Sequence, residues 1–396
     1  MEIGEGLDNS DDISVQKVEE IKLLGLYYTN ALNQVSSMNW DHIITQIESK
    51  INKIYYKQAS IFGRAILVNT FIEPKLLYPA TSLDPPAHII KSFKKIIRAF
   101  IFKGTIPCIR HNTLIQAKTN GGINLHDIES KIISFRLKFL YRVIESQREF
   151  PLACYFLRDI IDPLFTDKNF EGNKHLAPQF YDIISQIYNK YNVIYHISNI
   201  KNVYLNIVET KKAPLTDQIK RLDATIDIST IFENIHANNL TTPTQKQILY
   251  RILFGITPTS EGLAKRHKRI FECKFCLSVQ ESETHIFYEC QTLNSLKREL
   301  ISLLRQQNND SFDLYKAIFL NTILNEKDKE VYFLKLALIA IYREAIWTAR
   351  NQATHKERQI SDNSLATIFV NKTRYFLKKF NNNETLKSYF EKDNSQ

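Results

Sequence analysis

Glycine and proline are scarce in this chain. Ten glycines and eleven prolines in 396 residues are too few to turn a succession of short strands, while Lys, Leu, Ile and Asn recur throughout. A mainly helical backbone is the expectation. Long apolar runs are missing too: none approaches the ~18 residues that a membrane span requires. The first residues are acidic and polar, so they read as neither a signal peptide nor a transit peptide, and an intracellular protein of nucleus or cytoplasm is expected. No Ser/His/Asp or Cys/His arrangement nominates itself for catalysis, and no glycine loop is suited to cradle phosphates. Cysteine is rare, with five in all, and three of the five fall within one short stretch.

That stretch reads CKFCLSVQESETHIFYEC and contains Cys273, Cys276, His285 and Cys290. Three thiols and one imidazole form a ligand set for one tetrahedral zinc. The first pair lies on a Cys-x-x-Cys turn, which lets both sulfurs face one ion, and the longer gap returns the chain with His285 and Cys290. Four protein ligands leave no open position for a catalytic water, so the zinc is expected to be structural. Thiolate ligands fit a reducing compartment. Cys108 and Cys154 stand apart and read as buried free thiols.

The net charge is +10 and unevenly spread, because residues 1–20 hold seven acids against one lysine and leave +16 on the remainder. A basic body with pI ≈ 9.1 attracts polyanions, nucleic acid before acidic membrane.

Along the chain, residues 21–28 read as a short strand containing a glycine. Trp40 to Lys57 carries Ile43, Ile44, Ile47, Ile51 and Ile54 at helical spacing. Ser60 to Tyr78 is a second helix, kinked or ended near Pro74. Pro86 to Phe102 is a third, with an apolar face (Ile89, Ile90, Phe93, Ile97, Phe100, Ile101) and a basic one (Lys91, Lys94, Lys95, Arg98). Gly121-Gly122 is a turn, and Ile128 to Ile144 an amphipathic helix. Thr242-Pro243 caps a helix that runs through Phe254 and ends at Gly255. Pro258 to His267 is expected to be a short helix delivering the chain to the cysteines. Helices over 293–304, 311–324, 328–355 and 363–380 follow.

Together these segments resemble the C-terminal part of a LINE-type, non-LTR retrotransposon reverse transcriptase. Ile21-Lys-Leu-Leu-Gly-Leu26 is similar to the piece that closes the palm beside the primer. Trp40, Ile61-Phe-Gly-Arg-Ala-Ile-Leu-Val-Asn69 and Pro74-Lys-Leu-Leu-Tyr78 resemble the thumb. Phe100-Ile-Phe-Lys-Gly104 and Gly121-Gly-Ile-Asn-Leu-His-Asp-Ile128 resemble the connection that follows. The cysteine stretch with Glu283-Thr-His285 resembles the zinc-binding region, and Trp347-Thr-Ala-Arg-Asn351 a motif found after it. No single piece is decisive; their order over 21–355 makes the likeness specific.

The resemblance implies an acidic flexible lead (1–20) and a thumb-like helical bundle with its connection (21–150). A helical linker region (151–239) and a helical C-terminal domain with a Cys3His zinc knuckle (240–396) follow. It implies template RNA, an RNA–DNA hybrid or target DNA as partner. The basic face of Lys91, Lys94, Lys95 and Arg98 is suited to phosphates behind a primer end, and equally reads as a solvated charged face. Lys265, Arg266, Lys268 and Arg269 just before the knuckle suit single-stranded or structured RNA. Phe271, Phe275, Phe287 and Tyr288 are able to stack on bases, though at least two are expected to fill the core around the zinc. The glycine of Gly63-Arg64 reads as a helix crossing or as simple tolerance, and Trp40 as a core anchor.

The family's polymerase centre is an aromatic-Ala-Asp-Asp turn plus an earlier aspartate, which hold two metal ions. These residues contain no such turn; Ser10-Asp11-Asp12-Ile13 lacks the aromatic and lies too close to Leu24. No catalytic residue is therefore nominated, and no polymerisation is expected from this chain alone. A host-retained RNA-binding protein derived from the element, or an adaptor whose zinc domain binds protein, are the alternative readings.

Overall fold

A computed structural model describes residues 18–54, 59–103, 109–167, 172, 178–191, 200–211, 227–259, 272–305, 313–323, 326–356 and 360–379. The fold is mainly α, with a single two-stranded sheet among the described residues. None of the described helices is long and apolar enough to cross a membrane. The chain divides into two compact units: 1–107 with 124–212, and 108–123 with 213–396.

The first unit opens on a hairpin of β1 (Glu20–Leu23) and β2 (Leu26–Thr29), antiparallel with Leu23 opposite Leu26. One strand over 21–28 was the expectation. Instead its glycine makes the turn: Leu24 and Gly25 take φ of 50° and 84°, the pair of positive values a type I′ hairpin demands. Helix α1 (Leu32–Trp40) has no counterpart in the sequence reading, because its apolar residues lack helical period. Buried Asn39 ties it to the hairpin, accepting from the Tyr27 N–H at 2.9 Å and donating to the Tyr27 carbonyl at 2.8 Å. Trp40 is buried as an anchor. Helix α2 (Ile43–Lys53) buries Ile43, Ile47 and Ile51.

Helix α3 (Ile61–Leu67) begins at Ser60, whose hydroxyl accepts from the Gly63 N–H at 3.2 Å. A Cβ on Gly63 would meet nothing closer than 3.6 Å, so simple tolerance explains that glycine. The expected break at Pro74 is absorbed rather than made. Val68–Ile72 is a π-helical turn and α4 (Glu73–Ala80) continues directly from it. Proline lacks an N–H and collides with the carbonyl four residues back; the wider turn removes that conflict. Helix α5 (Ala87–Ile101) buries the six apolar residues named from its period. Buried Arg64 caps its end, donating to the carbonyls of Phe100 (3.2 Å) and Ile101.

Residues 108–123 belong to the second unit and include the single turn α6 (His111–Leu114). Gly121 is left-handed, with φ 77°, and a Cβ on Gly122 would lie 1.8 Å from the Gln116 carbonyl oxygen. The glycine pair is therefore a close backbone crossing as well as a turn. The chain then returns to the first unit, where Asn69 donates to the Asn124 carbonyl (2.7 Å) and accepts from the His126 N–H (2.9 Å). His126 Nδ1 meets buried Glu73 Oε2 at 2.5 Å. Helix α7 (Ile128–Glu145) starts at Asp127, a capping residue ion-paired to Lys211 at 2.6 Å. Helices α8 (Pro151–Ile161), α9 (Gln179–Tyr191) and α10 (Ile200–Thr210) pack around α7. The first unit thus extends to residue 212. The apolar faces of α8 to α10 find their cover on α7.

In the second unit α11 (Ile228–Ala237) precedes α12 (Pro243–Leu253), which has the complete capping box of Thr242 and Gln245. Then come α13 (Asn294–Arg305), α14 (Leu314–Leu320), α15 (Lys329–Lys356) and α16 (Asp362–Lys379). Between Leu334 and Ala349, α15 is buried on nearly every side, so it forms the axis of this unit.

Candidate metal centre

The knuckle is built by the backbone before any side chain acts. Glu272 and Gln280 form an isolated antiparallel bridge, and the Cys273 N–H donates to the Val279 carbonyl at 2.7 Å. The chain reverses between them through Leu277, left-handed at φ 56°, whose N–H donates to the Cys273 carbonyl at 2.9 Å. The Phe275 N–H donates to Cys273 Sγ at 3.4 Å.

The second pair of donors is brought round by an unusual turn. Ser282 Oγ accepts from the His285 N–H at 3.0 Å, and His285–Glu289 is π-helical. Its closing bond runs from the Cys290 N–H to the His285 carbonyl at 2.9 Å. An α-turn would carry position i+5 well round the helix; the wider turn sets Cys290 above His285.

As a result, Cys273, Cys276, His285 and Cys290 place their ligand atoms within 4.8 Å of one another. Cys273, His285 and Cys290 are buried, Cys276 half-buried, and Cys276 Sγ lies 3.3 Å from His285 Nε2. The hydrogen bond between Cys273 and Cys290 raises the Cys273 thiol, helped by burial, and lowers that of Cys290. Four such donors can hold a metal ion, which would take the place of the shared protons.

A layer behind the ligands was not legible in the sequence. Glu281 is 0% exposed and accepts from Arg350 Nη2 at 2.8 Å and from its Nε at 3.3 Å. The guanidinium also lies 5.3 Å from the Trp347 ring. Tyr342 donates to the Phe287 carbonyl at 3.0 Å, and Glu283 accepts from the Thr257 N–H at 3.1 Å. The Trp-Thr-Ala-Arg-Asn stretch thus stands behind the metal loop, clamping it to α15. Phe275 and Phe287 fill the core, while Tyr288 is half-buried under Lys297, 5.3 Å from its ring centroid. Cys154 is a buried free thiol.

Of the basic residues on α5, Lys91 and Lys95 are exposed, and Arg98 is half-buried. Lys94 pairs with Glu129 at 2.8 Å and stands 3.9 Å from Asp127, so part of its charge is answered internally. The four line an open groove together with Ala87, Ile90 and Glu129. Lys265, Arg266, Lys268, Arg269 and Phe271 lie outside the described residues, as do Cys108 and nearly all of the helix expected over 258–267. No known protein-family model matches the chain.

Proposed function

We propose that this chain is the nucleic-acid-binding, zinc-binding part of a LINE-type RNA-directed DNA polymerase, without the polymerase centre among its residues. The observation that carries the reading is the convergence of Cys273, Cys276, His285 and Cys290, set within the ordered resemblance that runs from Ile21 to Asn351. Zinc is the metal this donor set suits. Thiolates with imidazole disfavour hard cations, and a tetrahedron with Zn–S bonds of about 2.3 Å has edges near 3.7 Å. A modest contraction of the present cluster reaches that geometry. With all four positions filled by protein, the ion would hold the fold and leave chemistry elsewhere.

Nucleic-acid binding is supported by the net charge of +10 and by the exposed cations of α5. Purified chain is expected to carry about one zinc by elemental analysis. RNA binding should weaken steeply as salt rises, and primer extension on an RNA template should be absent. Extension by this chain, or no binding at low salt, would sink the reading. The adaptor alternative draws on Leu277 and Val279, two apolar side chains about half exposed at the knuckle tip. It predicts a protein partner whose binding is indifferent to salt.

A further inference from the structure

Helix α7 has a second working face. Its inner side buries Ile132, Leu137, Leu140 and Val143. Phe135, Lys138, Phe139 and Arg142 fall at i, i+3, i+4 and i+7, so they share one stripe at the edge of that core, against which Phe139 also packs. Phe135 and Phe139 are half-buried, Lys138 and Arg142 exposed. Phe180 of α9 closes the stripe from the side, edge-on to Phe139 with ring centroids 5.7 Å apart. Together with the loop at Thr81 they line an open groove of about 550 Å³, within the usual size of a ligand cleft.

Neither Lys138 nor Arg142 forms an ion pair among the described residues; Arg142 only lies over the Phe150 ring at 5.2 Å. Buried Arg136 pairs with Asp84 at 2.9 Å and lies over the Phe180 ring, 5.7 Å from its centroid. Half-buried rings, alternating along one helix with exposed cations that form no ion pair among the described residues, match a polymer that alternates flat bases with phosphates. The recess sits between a helix face and a loop, where a base enters only if it is unpaired.

We propose that this groove binds an unpaired nucleotide segment, with bases against Phe135, Phe139 and Phe180 and phosphates on Lys138 and Arg142. It is a site separate from the basic face of α5, and it rests on the nucleic-acid-binding reading. That reading predicts binding of some kind; the groove adds that single strands are gripped here.

The test uses the full zinc-loaded chain and fluorescein-labelled mixed-sequence single-stranded RNA, the same sequence as DNA, and the RNA duplex. Phe139→Leu keeps the apolar volume and removes the ring; it should weaken single-strand binding at least about fivefold and leave duplex binding unchanged. Lys138→Gln with Arg142→Gln should lower the single-strand salt slope by about 1.4. Lys91→Gln with Lys95→Gln serves as the comparison on α5. A second readout needs no variant: 4-thiouridine RNA crosslinked to the native chain should mark peptides containing Phe135, Phe139 or Phe180. Comparable effects on RNA and DNA would make the groove a general single-strand site, and a larger effect on RNA an RNA site; either supports it. Undiminished single-strand binding by both groove variants, with crosslinks elsewhere, overturns the groove and leaves the broader reading standing. No binding by the parent chain to any of the three overturns both.

Discussion

Glu281 and Arg350 form an ion pair that water scarcely reaches, and the consequence is asymmetric. Removing one partner leaves a buried charge with no answer, which typically costs about 3–5 kcal/mol, whereas removing both with matched volume costs far less. Arg350→Ala should therefore lower the urea midpoint sharply, and Glu281→Gln with Arg350→Met should recover most of it. Additive losses in the double variant would refute the pairing argument. His236 offers a pH test. Burial, then the charges of Lys118 and Lys246, depress its imidazole from 6.5 to about 4. The unfolded chain accordingly takes up the proton first as pH falls. The contribution of neutral His236 is intact above 6.5 and lost progressively towards 4. Urea melts at about pH 7 and about pH 5 should show His236→Gln losing less stability on acidification than the parent chain. Identical losses would remove His236 from the account. Neither the ion pair nor the buried imidazole could be seen from the sequence, because their partners lie far off along the chain.

Elements with a strong period were legible. The apolar residues of α5 and α2 alternate at helical spacing and bury on that face, and Thr242-Pro243 marked the start of α12 through local chemistry alone. Thr242→Ala, which removes the hydroxyl accepting from the Gln245 N–H at 3.2 Å, should cost about 1 kcal/mol. A thermal melt shifted by less than a degree would show the cap to be redundant. What escaped were elements whose signal is not periodic. Helix α1 is held by one asparagine side chain against the hairpin. Two π-turns, Val68–Ile72 and His285–Glu289, accommodate a proline and a ligand spacing respectively. A π-turn differs from an α-turn by one residue, and only the packing around it selects which forms. Helix α7 showed the converse: its inner face was evident from period, while its aromatic and basic stripe reads as surface until α9 closes it.

At the scale of the molecule, the second unit gathers α12 to α16 and the three knuckle cysteines into one continuous core, in which Cys273 and Cys290 are themselves buried members. Metal binding and folding of this unit are then expected to be coupled. Stripping the metal with a chelator, or Cys273→Ser, should abolish metal content and reduce amide protection in α13 and α15 more than in α7. Hydrogen exchange read by mass spectrometry decides it: equal loss in both units would show that the metal supports the whole chain rather than one part. The segment 108–123 belongs to this unit although the residues on either side of it do not. The hydrogen bond from buried Tyr250 to the Gly121 carbonyl at 2.9 Å is one of the contacts that place it there.

The sequence by itself determined the helical class, the apolar faces of α2, α5 and α7, the cap of α12 and the four residues that cluster as candidate metal ligands. Each depends on residues within a few turns of one another, where spacing fixes geometry. Tertiary structure alone decided where the units divide, which cations remain available, and what holds the knuckle from behind. Those outcomes depend on side chains that meet across tens of residues, as Glu281 meets Arg350 and Asn69 meets His126. No local period encodes such a meeting, because it is the burial of shared apolar surface that brings the partners together.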